Sequence, residues 1–116
     1  MEKKVQIGML CEIYGKLLTK RQLNILNDYC NEDLSLTEIA ENNKITRQAV
    51  NDIVKKGESK LLKYEQKLGI MKKTIDQEKQ IQNILSELSK ITDNSSDKKV
   101  EKILNSVRKE LISLNA

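Results

Sequence analysis

Apolar residues recur at intervals of three and four along nearly the whole chain, and no stretch alternates apolar with polar residues. Intervals of three and four match the period of an α-helix, whereas a half-buried strand needs an interval of two. The 116 residues include no proline, so no helical segment contains a residue that removes a backbone donor. The sequence therefore predicts an all-α protein.

Capping and turn residues divide this pattern into six predicted helices. Thr19 can cap the second helix, and Ser35 with Glu38 has the spacing of a capping box before the third. Thr46 opens the fourth helix, and Gly69 is placed to end it. The six predicted helices span residues 4–18, 19–31, 36–42, 46–68, 70–92 and 97–114.

The third and fourth helices have the internal spacing of a helix-turn-helix. Two helices cross steeply in this unit, which requires a small residue at the crossing and apolar residues at fixed offsets. Counted from Leu36, positions 4, 5, 10, 15 and 18 are all of the required type: Ile39, Ala40, Ile45, Val50 and Ile53. Position 9, where glycine often adopts a left-handed turn, is Lys44. A side chain there costs about 1–2 kcal/mol, and less for asparagine, so the turn is expected at the adjacent Asn43 or in another form.

The fourth helix is the predicted nucleic-acid interface. If Val50 and Ile53 face inward, the helical period turns polar side chains outward, and arginine can bind guanine as glutamine or asparagine can bind adenine. The candidate nucleic-acid-binding residues are Arg47, Gln48, Asn51 and Lys55. The candidate phosphate contacts are Lys44, Thr46, Lys56 and Lys60. The alternative for each of these residues is an ordinary solvated helix surface.

Charge is distributed unevenly along the chain, whose formal net charge is +4. Residues 18–43 carry two basic and five acidic side chains, a net charge of −3. Residues 44–67 carry seven basic and three acidic side chains, a net charge of +4. The segment that contains the predicted recognition helix is thus polarised toward an anionic partner such as nucleic acid.

The runs SLTEIAE at residues 35–41 and ITRQAVND at residues 45–52 closely resemble the YlxM family of small bacterial helix-turn-helix proteins. They are more distantly similar to region four of bacterial sigma factors. Together with the run from Tyr14 to Gln22 and the run from Lys63 to Leu68, the resemblance covers about residues 5–91 and leaves residues 93–116 outside. In sigma region four the matching helix reads promoter DNA, and Arg47 and Gln48 match positions near its N-terminus.

The resemblance implies a cytosolic protein that regulates or assists the signal recognition particle pathway. Two functions from different classes follow. The first is a DNA-binding regulator, with duplex DNA as the partner. The second is an accessory of the signal recognition particle that contacts its structured RNA or its GTPase through the basic helix. A third hypothesis is a module that binds only protein, through the hairpin of residues 70–114.

Composition argues against several other classes of function. The chain has no histidine and only two cysteines, so neither an imidazole base nor a four-ligand zinc site is expected. Its four glycines form no phosphate-binding loop. We therefore expect no enzyme activity, no cofactor and no metal. Cys11 and Cys30 lie on apolar helical stripes and are expected to be reduced core residues. No apolar stretch is long enough to insert into a membrane, so a cytoplasmic location is predicted.

Two parts are expected: residues 1–68 as a helix-turn-helix domain with a long recognition helix, and residues 69–116 as a helical hairpin. The apolar faces of the hairpin cannot all be covered by each other. Either the extended fourth helix or a second copy of the chain covers the remainder, and we predict a homodimer.

Overall fold

A computed structural model describes residues 1–94 and 97–114 of the chain. Within those ranges the structure contains six α-helices, one short 3-10 helix and no strand, so the all-α prediction is confirmed. The helices are α1 Lys3–Tyr14, α2 Lys20–Cys30, α3 Leu36–Asn43, α4 Arg47–Leu68, α5 Ile70–Asn94 and α6 Lys98–Leu114, with the 3-10 helix at Gly15–Leu17.

Local capping residues set most of these boundaries. Thr19 and Ser35 both form capping boxes, in which the hydroxyl oxygen accepts from the amide three residues on and that residue's side chain accepts from the cap amide. α1 differs from the prediction because it ends at Tyr14, not near residue 18. The chain tightens there into the 3-10 helix, and Leu18 is already extended because Thr19 must enter its cap.

The chain divides into two compact units, residues 1–71 and residues from 72 onward. The first unit packs α1, α2, α3 and α4 around one core. Its fully buried side chains are Ile7, Leu10, Tyr14, Ile25, Leu26, Ile39, Val50 and Leu61. The predicted boundary lies between residues 68 and 69, three residues before the division observed after Met71.

Gly57 allows α2 and α4 to approach each other closely. A Cβ atom built on Gly57 would lie 2.6 Å from Cδ1 of Leu26, a side chain with no exposed surface. Real side-chain carbons do not approach so closely, so the crossing of these helices depends on glycine at this position.

A small polar network closes the end of α4. Gly69 adopts a left-handed conformation with φ 62°, as expected for the residue that ends a helix. The Tyr14 hydroxyl donates to Glu65 Oε1 over 2.7 Å and accepts from the Ile70 amide over 3.2 Å. The Met71 amide also donates to Glu65 Oε1, over 2.9 Å. Hydrogen bonds from α1 thus fix the turn that follows α4.

The second unit consists of α6 and the part of α5 that follows Met71. Arg108 donates to Ser89 Oγ over 3.1 Å, which joins the two helices. Ile81 is buried, but no described residue of α6 is. Ile84, Ile103 and Val107 are exposed. The apolar faces of this unit are only partly covered within it.

Both cysteines are free thiols: Cys11 is buried and Cys30 is half-buried. Burial, and secondarily the neighbouring Cys30, raises the pKa of the Cys11 thiol to about 11. No helix in the described ranges is long and apolar enough to cross a membrane.

Candidate nucleic-acid interface

The turn between α3 and α4 is built on Lys44. Lys44 has φ 55° and ψ 44°, the left-handed conformation, and its amide bonds the carbonyls of Ala40 and Glu41. The Ile45 amide bonds the Ala40 carbonyl over 3.1 Å, which closes the turn. The expectation that the turn lies at Asn43 or takes another form is therefore wrong, because Lys44 itself adopts the left-handed conformation. Asn43 remains helical and its Nδ2 donates to the Ile39 carbonyl over 2.8 Å.

Thr46 starts the recognition helix. Its Oγ1 accepts from the Ala49 amide over 3.1 Å, which satisfies one of the free donors of the first turn of α4. The hydroxyl proton of Thr46 is not used by this bond. It can be donated to a phosphate oxygen, the role predicted for this residue.

The residues of α4 predicted to contact bases lie on the outer side of the helix, next to the buried Val50. Val50 has no exposed surface, whereas Arg47 and Gln48 are exposed on neighbouring positions of the same helix. Arg47, Gln48 and Asn51 line one open groove with Leu36, and its volume is about 390 Å³. Asn51 is half-buried there, so it is less accessible than the spacing alone predicts. Three of the four predicted reading residues thus share one surface.

Asp52 holds Gln48 in place, a contact that the sequence analysis did not identify. Gln48 Nε2 donates to Asp52 Oδ1 over 3.1 Å, one turn along the exposed side of α4. One N–H and the carbonyl oxygen of Gln48 remain available, and these are the two groups that bind adenine. The i, i+4 spacing of the two residues was a signal for this contact.

The lysines of α4 point in different directions. Each residue turns the helix by about 100°, so Lys56 lies about 100° beyond Lys55 and Lys60 about 140° beyond it. Lys60 therefore lies nearly opposite Asn51 on the helix. Lys44 and Thr46 lie next to the start of the reading face, the side of α4 that carries Arg47, Gln48 and Asn51. Lys60 lies on the other side of the helix.

Three cations of this surface are not paired with any carboxylate of the described residues. Within the described part of the chain, Lys44, Arg47 and Lys55 form no salt bridge. All three are exposed. Their charges are therefore available to an external anion, although salt screens them in solution.

The fold and this surface define a small helix-turn-helix protein with a long second helix. The chain belongs to the family described as "UPF0122: Putative helix-turn-helix protein, YlxM / p13 like", whose model matches residues 1–111. The resemblance to the YlxM family is thereby confirmed. The expectation that residues 93–116 lie outside the similarity is wrong, because the match continues through most of α6.

Curated relatives agree with this family. A UPF0122 protein of Clostridium botulinum strain Alaska E43 is 47% identical over 88 residues, which are 76% of this chain and 81% of that protein. One from Clostridium perfringens strain 13 is 38% identical over 113 residues, 97% of this chain and 99% of its own. One from Acetivibrio thermocellus is 40% identical over 111 residues, 96% and 95% of the two chains.

Proposed function

We propose that this protein is a DNA-binding regulator that reads duplex DNA through the N-terminal half of α4. The observation that carries the proposal is the shared groove of Arg47, Gln48 and Asn51 above the buried Val50. Arginine, glutamine and asparagine are side chains that bind base edges in the major groove. A helix-turn-helix inserts its second helix there, with base contacts from the N-terminal residues of that helix.

The proposal divides the residues into two roles. Arg47, Gln48 and Asn51 contact base edges, and Lys55 is next to them on the same face. Lys44 and Thr46 contact flanking phosphates, which fixes the orientation of the helix without reading sequence. Lys56 and Lys60 are the least supported members of the predicted set, because they lie about 140° and 180° around α4 from Asn51.

Binding is tested by selecting preferred duplexes from a random pool and measuring fluorescence anisotropy at several salt concentrations. Arg47→Ala and Asn51→Ala should each lose preference for the selected sequence, by roughly 5- to 150-fold for a contact worth about 1–3 kcal/mol. Lys55→Ala should weaken binding to all sequences alike, and the salt slope, which is the slope of log affinity against log salt concentration, should fall in magnitude by about 1. Lys67→Ala, an exposed lysine in the last turn of the same helix, is the matched control. Failure of the purified protein to retain duplex DNA at low salt would refute the proposal.

The second candidate is an accessory of the signal recognition particle that binds its structured RNA or its GTPase. The observation that favours it is a pair of exposed lysines on α4 that faces away from Asn51, Lys56 and Lys60. Such a pair can contact a nucleic-acid backbone that is recognised by its shape. The chain has three Tyr and no Phe or Trp, so unpaired bases find little to stack on. The particle should co-purify with the protein, and neutralising Lys56 and Lys60 should abolish this association. Absence of any association in a pull-down contradicts this candidate.

We also propose that the protein is a homodimer held together by the second unit. Ile84 on α5 and Ile103 and Val107 on α6 are exposed by 42%, 64% and 38%. A second copy offers matching apolar stripes, and two hairpins together form a four-helix arrangement. Sedimentation equilibrium should give twice the chain mass for the native protein and a monomer for Ile103→Lys. A monomeric native protein refutes this proposal. Catalysis forms no part of these proposals, and the cytoplasmic location stays a prediction.

A further inference from the structure

A second polar groove lies outside the predicted interface. Lys20 and Arg21 in the first turn of α2 line it together with Asn24 and Asn43, and its volume is about 520 Å³. Asn43 directly precedes Lys44, the residue on which the turn into the recognition helix is built. The groove therefore adjoins the turn from which the reading face starts.

The first turn of α2 repeats the pattern of α4. In α4 the capping Thr46 is followed by Arg47, Gln48 and, three residues later, Asn51. In α2 the capping Thr19 is followed by Lys20, Arg21 and, three residues later, Asn24. In both helices this spacing gathers two long polar side chains and an asparagine on the outer face.

The core fixes that outer face on α2. Ile25 and Leu26 are buried, Lys20 and Asn24 lie on the opposite side of the helix, and Arg21 flanks them; all three polar side chains are exposed. The cap itself is satisfied by Thr19 and Gln22, whose hydrogen bonds measure 3.1 and 3.2 Å. The two cationic side chains are therefore not needed to stabilise the start of the helix.

The charges of the groove are not neutralised within the described residues. Neither Lys20 nor Arg21 forms a salt bridge there, and no described lining residue is acidic. Two cations beside two amide side chains form a set suited to phosphate and sugar oxygens. The amides add donors, while the cations supply a binding energy that depends on salt but not on sequence.

We propose that Lys20 and Arg21 form a phosphate clamp, a pair of cations that binds backbone phosphates of the same DNA duplex that α4 reads. This inference rests on the proposed function and extends it, because none of the four lining residues belongs to the predicted interface. The clamp contacts the duplex on the side of the α3–α4 turn. It adds affinity and fixes the orientation of α4 without contributing to sequence preference.

The test compares two doubly substituted proteins of equal charge. The variant Lys20→Ala with Arg21→Ala removes the clamp, and Lys63→Ala with Lys67→Ala removes two exposed lysines from the other end of α4. Affinity for a fluorescein-labelled duplex is measured across a range of KCl concentrations, with both the selected sequence and a random one. Unchanged thermal unfolding by circular dichroism verifies that each variant folds.

The clamp variant should lose affinity for the selected and random duplexes by the same factor, and its salt slope should fall by about 1.8. The Lys63 and Lys67 variant should stay close to the native slope, and Arg21→Lys should retain most of the affinity. If the two double variants have equal salt slopes, the clamp proposal is refuted. A selective loss of the preferred sequence overturns it as well, because that result assigns base reading to α2.

The two levels of the hypothesis fail in different ways. If Arg47→Ala loses sequence preference while the clamp variant behaves like its control, the proposed function stands and the clamp does not. If the native protein binds no duplex at all, both are refuted.

Discussion

Replacing Gly57 with alanine tests the packing of the first unit most directly. The new Cβ would lie 2.6 Å from Cδ1 and 3.3 Å from Cγ of Leu26, so more than the end of that side chain must move. Leu26 has no exposed surface, so it cannot move into solvent. Gly8→Ala in α1 is the matched control, because its Cβ would meet only Oδ1 of the exposed Asn31 at 2.9 Å.

The two substitutions have the same intrinsic effect and different neighbours. Alanine in a helix interior is favoured over glycine by about 1 kcal/mol. At position 57 an overpacking cost of about 1–3 kcal/mol opposes this gain, so the net expected loss of unfolding free energy is about 1 kcal/mol. At position 8 the exposed Asn31 side chain can rotate away and gives up only its exposed hydrogen bond to Asn27 Oδ1, so Gly8→Ala should gain up to about 0.5 kcal/mol.

Urea unfolding followed by tyrosine fluorescence measures both effects. The chain has three tyrosines at positions 14, 29 and 64 and no tryptophan, so the signal comes from the first unit alone. The transition midpoint should fall for Gly57→Ala and rise for Gly8→Ala, with similar slopes. A Gly57→Ala protein as stable as Gly8→Ala would refute the claim that the α2–α4 crossing depends on glycine.

Three further predictions concern single residues. Thr46→Ala removes the cap of α4 and should lower the unfolding free energy by about 1 kcal/mol, measured by the same urea titration. Lys44→Gly relieves the left-handed strain and should raise stability by up to about 1 kcal/mol while weakening duplex binding, so a parallel fall in both contradicts the assigned roles. The pKa of Cys11 is raised from 9.0 to about 11, so its contribution to stability is complete below pH 9 and lost as pH rises through 11. Between those pH values the unfolding free energy of the native protein, measured by the same urea titration, should fall by about 2 kcal/mol more than that of Cys11→Ala.

Features encoded within a few neighbouring residues were predictable from the sequence. Thr19, Ser35 and Thr46 cap their helices through bonds that span three residues, so the starts of α2, α3 and α4 follow from local pattern. The end of α1 did not follow from local pattern, because Gly15 after Tyr14 keeps helical angles of φ −56° and ψ −32° and is not a left-handed stop. That helix ends where the Tyr14 hydroxyl meets Glu65 and Ile70, which lie more than fifty residues away in the chain.

The turn at Lys44 shows how tertiary packing decides between local alternatives. The left-handed conformation disfavours lysine there, yet the offsets of Ile39, Ala40 and Val50 allow the two helices to pack only if the chain reverses within three residues. Burial of those side chains outweighs a local cost of about 1–2 kcal/mol. Sequence reasoning identified the cost but could not weigh it against a packing whose extent was unknown.

The cationic groove on α2 escaped sequence reasoning for a different reason. The net charge of residues 18–43 is −3, and this sum hides the two cations Lys20 and Arg21. Of the five acidic residues, Asp28 lies near the other end of α2, and the helical rise separates residues 21 and 28 by about 10 Å. That distance is about one Debye length, so salt weakens the effect of this carboxylate on an anion at the groove. Glu32 and Asp33 lie beyond the end of α2, and Glu38 and Glu41 belong to α3; none of these carboxylates is among the described residues that line the groove. The net charge of a segment is therefore a poor measure for locating such sites on a helical protein, because it sums side chains that do not face the same surface.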